Sequence, residues 1–250
     1  MTAATIHEAI AGLHAIADRA AEEGSRMGYF AALYARVTEA VAGKIEAGFF
    51  EDGPWMERLD VLFASRYLEA VERHRRGEEV MACWRVALEA CGDRGPTVLQ
   101  HLYLGMNAHL LLDLPIALVE ACEGGEIAGR RGDFKKINEI VSGLMPGFHE
   151  DLGRASPWLG AWERRAGWAW AAGSRGVLVA AREMAWRGAR QIAGRCAEER
   201  PALIAAMDAE AARRGREILD GGPIGRRLYG AMRAGEGNEV RATLAALRAR

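Results

Sequence analysis

Apolar residues recur along this chain at intervals of three and four and nowhere in sustained alternation, so the helical period governs nearly every patterned segment. Ile6, Ile10, Leu13 and Ala17 line one face of a first helix. Phe30, Leu33, Tyr34, Val37, Val41 and Ile45 line a second, for which Gly48 supplies the stop. After the loop at 49–54, Pro54 opens a third helix carrying Leu59, Leu62, Phe63 and Tyr67 and ending near Gly77. Residues 78–91 form a fourth, closed by Gly92. Pro96 starts a fifth, the most apolar of all, with an interruption expected around Leu114–Pro115. The stretch CEGGEIAGRRGD, residues 122–133, reads as a flexible connection. Further helices follow at 133–145, 157–171, 176–197, 201–219 and 237–249, broken at Pro146, Pro157, Pro201 and the Gly-Gly-Pro of 221–223. No unit of 20–50 residues repeats, which excludes a solenoid. The expected fold class is all-α, a globular bundle of about ten helices. It forms a single helical domain over 1–250, with one candidate sub-boundary in the 122–133 loop.

Composition narrows the class further. Half of the 250 residues are apolar and the net charge is −1, which excludes a disordered tail or a collagen-like chain. No unbroken apolar run approaches the ~18 residues of a membrane span. The amino terminus is amphipathic, without a basic start or an apolar stretch, so a secretory signal is not expected and a cytoplasmic location is. The neutral total hides a split. Residues 1–150 hold 15 basic and 23 acidic side chains, residues 151–250 hold 18 and 11, and all 18 of those basic residues are Arg. They are scattered among alanines rather than gathered on a face, so no nucleic-acid partner is expected. The halves should instead attract each other across an interface, within one chain or between the subunits of a homodimer. Cys83, Cys91, Cys122 and Cys196 form no CxxC pair and read as reduced, mostly buried thiols.

Candidate chemistry concentrates in residues 99–115, LQHLYLGMNAHLLLDLP. On a helix His101, Gly105, His109 and Asp113 fall at about 0°, 40°, 80° and 120°, one stripe on a rod that is otherwise apolar nearly all round. Buried polar atoms need partners, because an unpaired buried carboxylate costs several kcal/mol. His109 and Asp113, one turn apart, can chelate one ion or share one hydrogen bond. His101 lies ~12 Å further along the axis and cannot join them on one metal. A metal site would need ligands from other helices: His149 and Glu150, His74, Asp60 or Glu69. Asp60 stands out within the apolar run LDVLF, whereas Glu69 and His74 read as surface groups. The same His–Asp pair also suits a buried structural hydrogen bond. His7 and His14 read as boundary residues of the first helix.

Around this stripe, Gly105 and Ala108 suit close helix packing or backbone room for a ligand. Asn107 suits a hydrogen bond to a neighbouring helix. Arg66 and Arg85 interrupt apolar faces and could meet an anionic group. Trp55, Trp84, Trp158, Trp162, Trp168, Trp170 and Trp186 read mostly as core, or as the lining of an apolar cavity. GxxxxGK[ST], GxGxxG, GxSxG and HExxH are all missing from the sequence.

Two resemblances follow from these segments. FAALYARVTEAV, MERLDVLFASRYLEA, the Trp84–Arg85 pair, LQHLYLGMNAHLLLDLP, DFKKIN and SPWL together resemble an uncharacterised bacterial family, catalogued as a domain of unknown function, over roughly residues 29–220. That resemblance implies a shared helical fold and carries no activity. Separately, LGxxxHxxxD, here Leu104, Gly105, His109 and Asp113, is similar over ten residues to the zinc-ligand helix of zinc-dependent phospholipase C enzymes, which implies zinc on the matching His and Asp.

Three functional readings therefore stand. The first is a metal-dependent hydrolase of an apolar or lipid-like metabolite. One divalent ion, Zn or Fe, would sit on His109, Asp113, His149 and Asp60, with His101, His109 and Asp113 catalytic. Asn107, Arg85, Arg66 and Gly105 would meet the small-molecule substrate. The second is a metal-free cyclase or isomerase of secondary metabolism using the same His–Asp acid/base pair. The third is a non-catalytic ligand-binding or scaffold protein.

Overall fold

The computed structural model describes residues 3–122, 127–166, 168–237 and 239–248, with the side chains of residues 163, 166, 168–172 and 174 outside the description. Helix α1 (Ile6–Glu23) is capped by Thr5, whose hydroxyl accepts from Glu8 N. It packs on α2 (Gly28–Glu46), and α3 (Gly53–Arg75) crosses both. Asp52 caps α3 through Trp55 N. Gly48 adopts φ +68°, the left-handed turn in which the chain leaves α2. The short α4 (Ala82–Glu89) then leads to the segment that organises everything else.

That segment is one rod: α5 (Val98–Ala108), a π-helical stretch His109–Asp113 and α6 (Leu114–Ala121). The expected interruption at Leu114–Pro115 is therefore absent as a break and present as a change of winding. Pro115 has no N–H and its ring would crowd the carbonyl four residues back. The chain widens just upstream, where Leu114 N donates to His109 O across five residues. By length and average composition Val98–Ala121 could cross a bilayer, with mean hydropathy 1.5, although polar residues interrupt every apolar run in it. Two thirds of that window is buried against α2, α3, α4, α7, α9 and α10, as a central core helix must be.

The remaining helices wrap this rod. They are α7 (Arg131–Ala155), α8 (Pro157–Ala166), α9 (Trp168–Ala193), α10 (Arg200–Asp220), α11 (Gly222–Gly235) and α12 (Val240–Leu247). Helix α9 lies along α6, α10 along α4 and α5, and α12 against α7, α2 and α1. One continuous apolar core draws residues from Ile6 to Leu247. Among the described residues there is no strand. Several boundaries differ from expectation; the gap expected at 172–175 lies inside α9, and the fourth helix is shorter than the expected 78–91. Helix α7 runs unbroken through Pro146, so His149 and Glu150 are helical and not in a turn. The Gly-Gly-Pro of 221–223 starts α11 instead of only ending α10, because Pro223 sits in a first turn where its missing N–H costs nothing. In the 122–133 connection, Ile127–Arg130 form a 3-10 turn running into α7, while 123–126 lie outside the described residues.

Two carboxylates cap helices from a distance. Asp208 on α10 accepts from Ala82 N and Cys83 N, both at 2.8 Å, and so holds the start of α4. Glu236 accepts from Val98 N at 3.0 Å at the start of α5. There Thr97 and Gln100 also form a reciprocal capping box.

Candidate functional site

The rod's polar stripe is buried. His101 is 4% exposed, His109 and Asp113 3% each. His109 Nδ1 lies 3.0 Å from Asp113 Oδ2, and Trp84 Nε1–H donates to the same oxygen at 3.0 Å. Trp84 reaches it because Asp208 fixes the first turn of α4, one residue before the indole. An indole N–H can only donate, so Asp113 acts as acceptor toward both rings. With the single proton of a neutral imidazole on Nδ1, the lone pair sits on Nε2. That atom is buried and has no partner. Burial holds the His109 pKa below its ordinary value, against the opposing pull of Asp113.

Rings enclose the imidazole. Phe63 stacks on it with centroids 3.5 Å apart and planes 8° from parallel; Tyr34 meets it edge-on at 4.4 Å and Phe30 at 5.6 Å. These come from two i, i+4 pairs, Phe30 with Tyr34 on α2 and Phe63 with Tyr67 on α3, each presenting both rings to the rod. The Tyr34 hydroxyl is likewise buried without a hydrogen-bond partner. Desolvation, and the nearby Asp60 and Asp113, hold its pKa well above the ordinary value, so it stays a phenol. Asp60, one turn before Phe63, has an unpartnered Oδ2. Burial pushes its pKa up to about 7, with Arg182 of α9 pulling the other way. Arg182, 6% exposed, donates to Asn138 Oδ1 at 2.8 Å and to Phe134 O at 2.9 Å.

Next to this shell lies a half-open cavity of about 20 Å³, bounded by Arg26, Phe30, Trp84, Cys91, His101 and Gly105 among others. Both ring nitrogens of His101 lack partners, and desolvation, reinforced by Arg26, lowers its pKa to about 4. Phe30 and Trp84 thus separate two histidines, one in a ring cage and one on a cavity wall.

The other expected site residues are placed as follows. Asn107 Nδ2 donates to Ala211 O at 2.7 Å, the helix-to-helix bond its type suggested, so its amide is already engaged. Gly105 serves close packing: a Cβ there would fall 2.4 Å from Phe30 Cγ. Arg66 pairs with Glu120 at the surface and Arg85 is exposed, so neither reaches the stripe. Their intervals on α3 and α4 place them on outer edges that the apolar pattern alone did not distinguish from inner ones. His149 is buried on α7, Glu69 is exposed and His74 half-buried. Among the described residues no three His, Cys, Asp or Glu side chains gather as a metal-binding group, so His109, Asp113, His149 and Asp60 are not assembled on one point. Trp55, Trp84 and Trp186 are core, Trp162 is 47% exposed, and the side chains of Trp168 and Trp170 lie outside the description. His7 and His14 pair at the surface with Glu46 and Glu39. Sequence reasoning missed Tyr34 as a polar group, Arg26 and Arg182; only the i, i+4 aromatic pairs carried a usable signal.

The match to known families covers most of this arrangement. A family described as of unknown function, DUF5995, matches residues 6–221, from the start of α1 to the end of α10. The chain belongs to that family. Membership extends further toward the amino terminus than the motif resemblance over 29–220, and takes in α1. Within the matched span of DUF5995 lie all the residues of the cage and of the cavity wall, whereas α11 and α12 fall beyond it. No curated protein and no solved structure matches the chain.

Proposed function

We propose that the protein is an acid/base enzyme acting on a small, largely apolar metabolite, with His109 Nε2 as the base. The observation that supports this reading is the orientation of His109. Its Nδ1 is tied to Asp113, Asp113 is tied to Trp84, and its remaining nitrogen is left buried and unpartnered. An unmade buried hydrogen bond costs ~1–3 kcal/mol, a cost that a purely structural pair would avoid by presenting Nε2 to an N–H or hydroxyl donor. The arrangement follows the general logic of an oriented base: a carboxylate fixes the tautomer and stabilises the imidazolium formed when Nε2 takes a proton. Tyr34, held as a phenol beside the ring, would donate a hydrogen bond to a developing oxyanion, while the imidazolium of His109 returns the proton it took. Proton abstraction and return of this kind suit isomerisation or cyclisation, and the apolar cage suits an apolar substrate.

The scaffold reading has its own support, namely the closeness of the shell, with Phe63 stacked directly on the imidazole and Phe30 seated on Gly105. Solvent-deuterium exchange separates the two. Wild type and His109→Asn are incubated in D2O with a panel of small ketones and carboxylic acids, and deuterium uptake is read by mass spectrometry. The enzyme reading expects at least one compound to exchange ~100-fold faster with wild type. Equal behaviour across the panel, with both proteins folded, favours the scaffold.

A further inference from the structure

The cavity on the other side of Phe30 carries a chemical preference of its own. His101 forms its inner wall, more than nine-tenths buried, with Nδ1 and Nε2 both lacking a hydrogen-bond partner. Among the described residues its ring meets Tyr29 edge-on at 5.8 Å, a contact that leaves both nitrogens unsatisfied. Arg26 lines the same space, half-buried, and takes part in no ion pair among the described residues. Much of the rest of the wall is aromatic or aliphatic, with Phe30, Tyr67, Trp84 and Leu88 beside the Cys91 thiol. The cavity, of about 20 Å³, has room inside for about one water-sized group and is open on one side, so any larger ligand extends out through the opening.

We propose that this cavity binds a small organic carboxylate, with its acid group between Arg26 and the His101 N–H and its apolar part against Phe30, Trp84 and Leu88. A guanidinium recognises a planar carboxylate through charge-assisted bonds. A neutral imidazole adds one donor without the cost of burying a second cation. His101 is neutral at pH 7, since its pKa is lowered to about 4. An amine would meet Arg26 as a like charge, and an alcohol would leave the guanidinium without a counter-ion. Asp93, the nearest acidic group acting on His101, is exposed and already accepts from Gly95 N at 2.9 Å. The inference rests on the acid/base reading only in making this carboxylate the substrate's head group; the binding itself stands apart from it.

Calorimetric titration tests the proposal, with butyrate, butanol, butylamine and inorganic phosphate as probes against wild type, Arg26→Gln, His101→Leu and His109→Asn. Butyrate should bind wild type at least ~10-fold more tightly than butanol or butylamine, and Arg26→Gln should lose that preference. Tighter binding of phosphate than of butyrate would show a bare anion site and overturn the apolar half of the proposal. Butyrate binding equal in wild type and Arg26→Gln overturns it altogether. Arg26 is half-buried at the surface, so its variant keeps the test decisive if His101→Leu fails to fold. His109→Asn should bind butyrate as wild type does; if it does so while catalysing no exchange difference in D2O, the carboxylate site survives and the acid/base reading falls.

Discussion

At the residue scale, the core holds three titratable groups that pull stability in opposite directions with pH. His101 accepts a proton near pH 4 in the folded chain and near 6.5 when unfolded. As pH falls from 6.5 to 4, the unfolded chain binds a proton that the folded chain refuses, so stability drops, by up to ~3 kcal/mol at ~1.4 kcal/mol per unit. His109, lowered by burial against Asp113, acts with the same sign. Asp60 keeps its proton to about pH 7 when folded and faces Arg182, whereas the unfolded carboxyl ionises near 3.9. Between those values rising pH stabilises the unfolded chain, so stability falls and then levels above 7. The expected outcome is that Asp60→Asn exceeds wild type by ~4 kcal/mol in urea midpoint experiments at pH 8 and matches it at pH 4. Equal stabilities at pH 8 would show that Asp60 is ionised without penalty. Asp113→Ala is the contrasting case. It leaves Trp84 Nε1–H and His109 Nδ1 buried without an acceptor, and should cost ~2–4 kcal/mol in the same assay.

At the element scale, the short α4 depends on a carboxylate from far along the chain. Asp208 satisfies two of its first N–H groups, and eight residues hold few internal bonds of their own. Asp208→Ala should lower stability by ~1–2 kcal/mol and raise amide hydrogen exchange at residues 82–86, including the turn that carries Trp84. Unchanged exchange there would mean packing alone holds α4. A second test concerns the crossing of α2 and the rod. Gly105→Ala would press a Cβ against Phe30, the partition between cage and cavity, and overpacking of this kind costs ~1–3 kcal/mol. These cases mark where the sequence is readable. The 3.6 period revealed the helices and the His101–Asp113 stripe because burial of one face leaves that signature. The carriage of α7 through Pro146, and of the rod past Leu114–Pro115, was not legible, because neighbouring helices can stabilise a backbone that local propensity would break. Nor was the pairing of Asp113 with Trp84, or the Arg182 charge that acts on Asp60 from α9, since no periodicity records which distant helix faces which.

At the scale of the whole molecule, the two halves of unlike charge pack against each other within the chain. The basic half lies directly on the acidic half, α9 along α6 and α10 along α4 and α5. The ion pairs that cross between them include Arg36–Asp151 and Arg131–Glu183, in each of which the arginine comes from the acidic half. Arg248 reaches Asp18 at 2.8 Å, while Arg213 and Arg214 pair locally with Glu210 and Arg195 with Glu199. Apolar burial therefore carries the association. The last helix shows this most clearly, although it lies beyond the span matched by the family. Val240, Leu244 and Leu247 are buried, and Leu244 sits where a side chain on Gly28 would have to go. Leu247 O accepts from Arg36, whose guanidinium is paired in the core with Asp151. Three such side chains contribute ~5 kcal/mol at 1.5–3 kcal/mol each, comparable to the 5–15 kcal/mol that separates folded from unfolded domains. Ending the chain at Gly235 should therefore drop the melting temperature by ten degrees or more, or send the protein to the insoluble fraction. Ile224 and Leu228 on α11 are apolar too, but 85% and 41% exposed. Replacing both with serine should leave the melting temperature within about two degrees. A truncated chain as stable as the full one would mean that α12 only rests on the surface of a bundle already complete at α11. The Arg36–Asp151 pair would then have to be satisfied by water in place of Leu247 O.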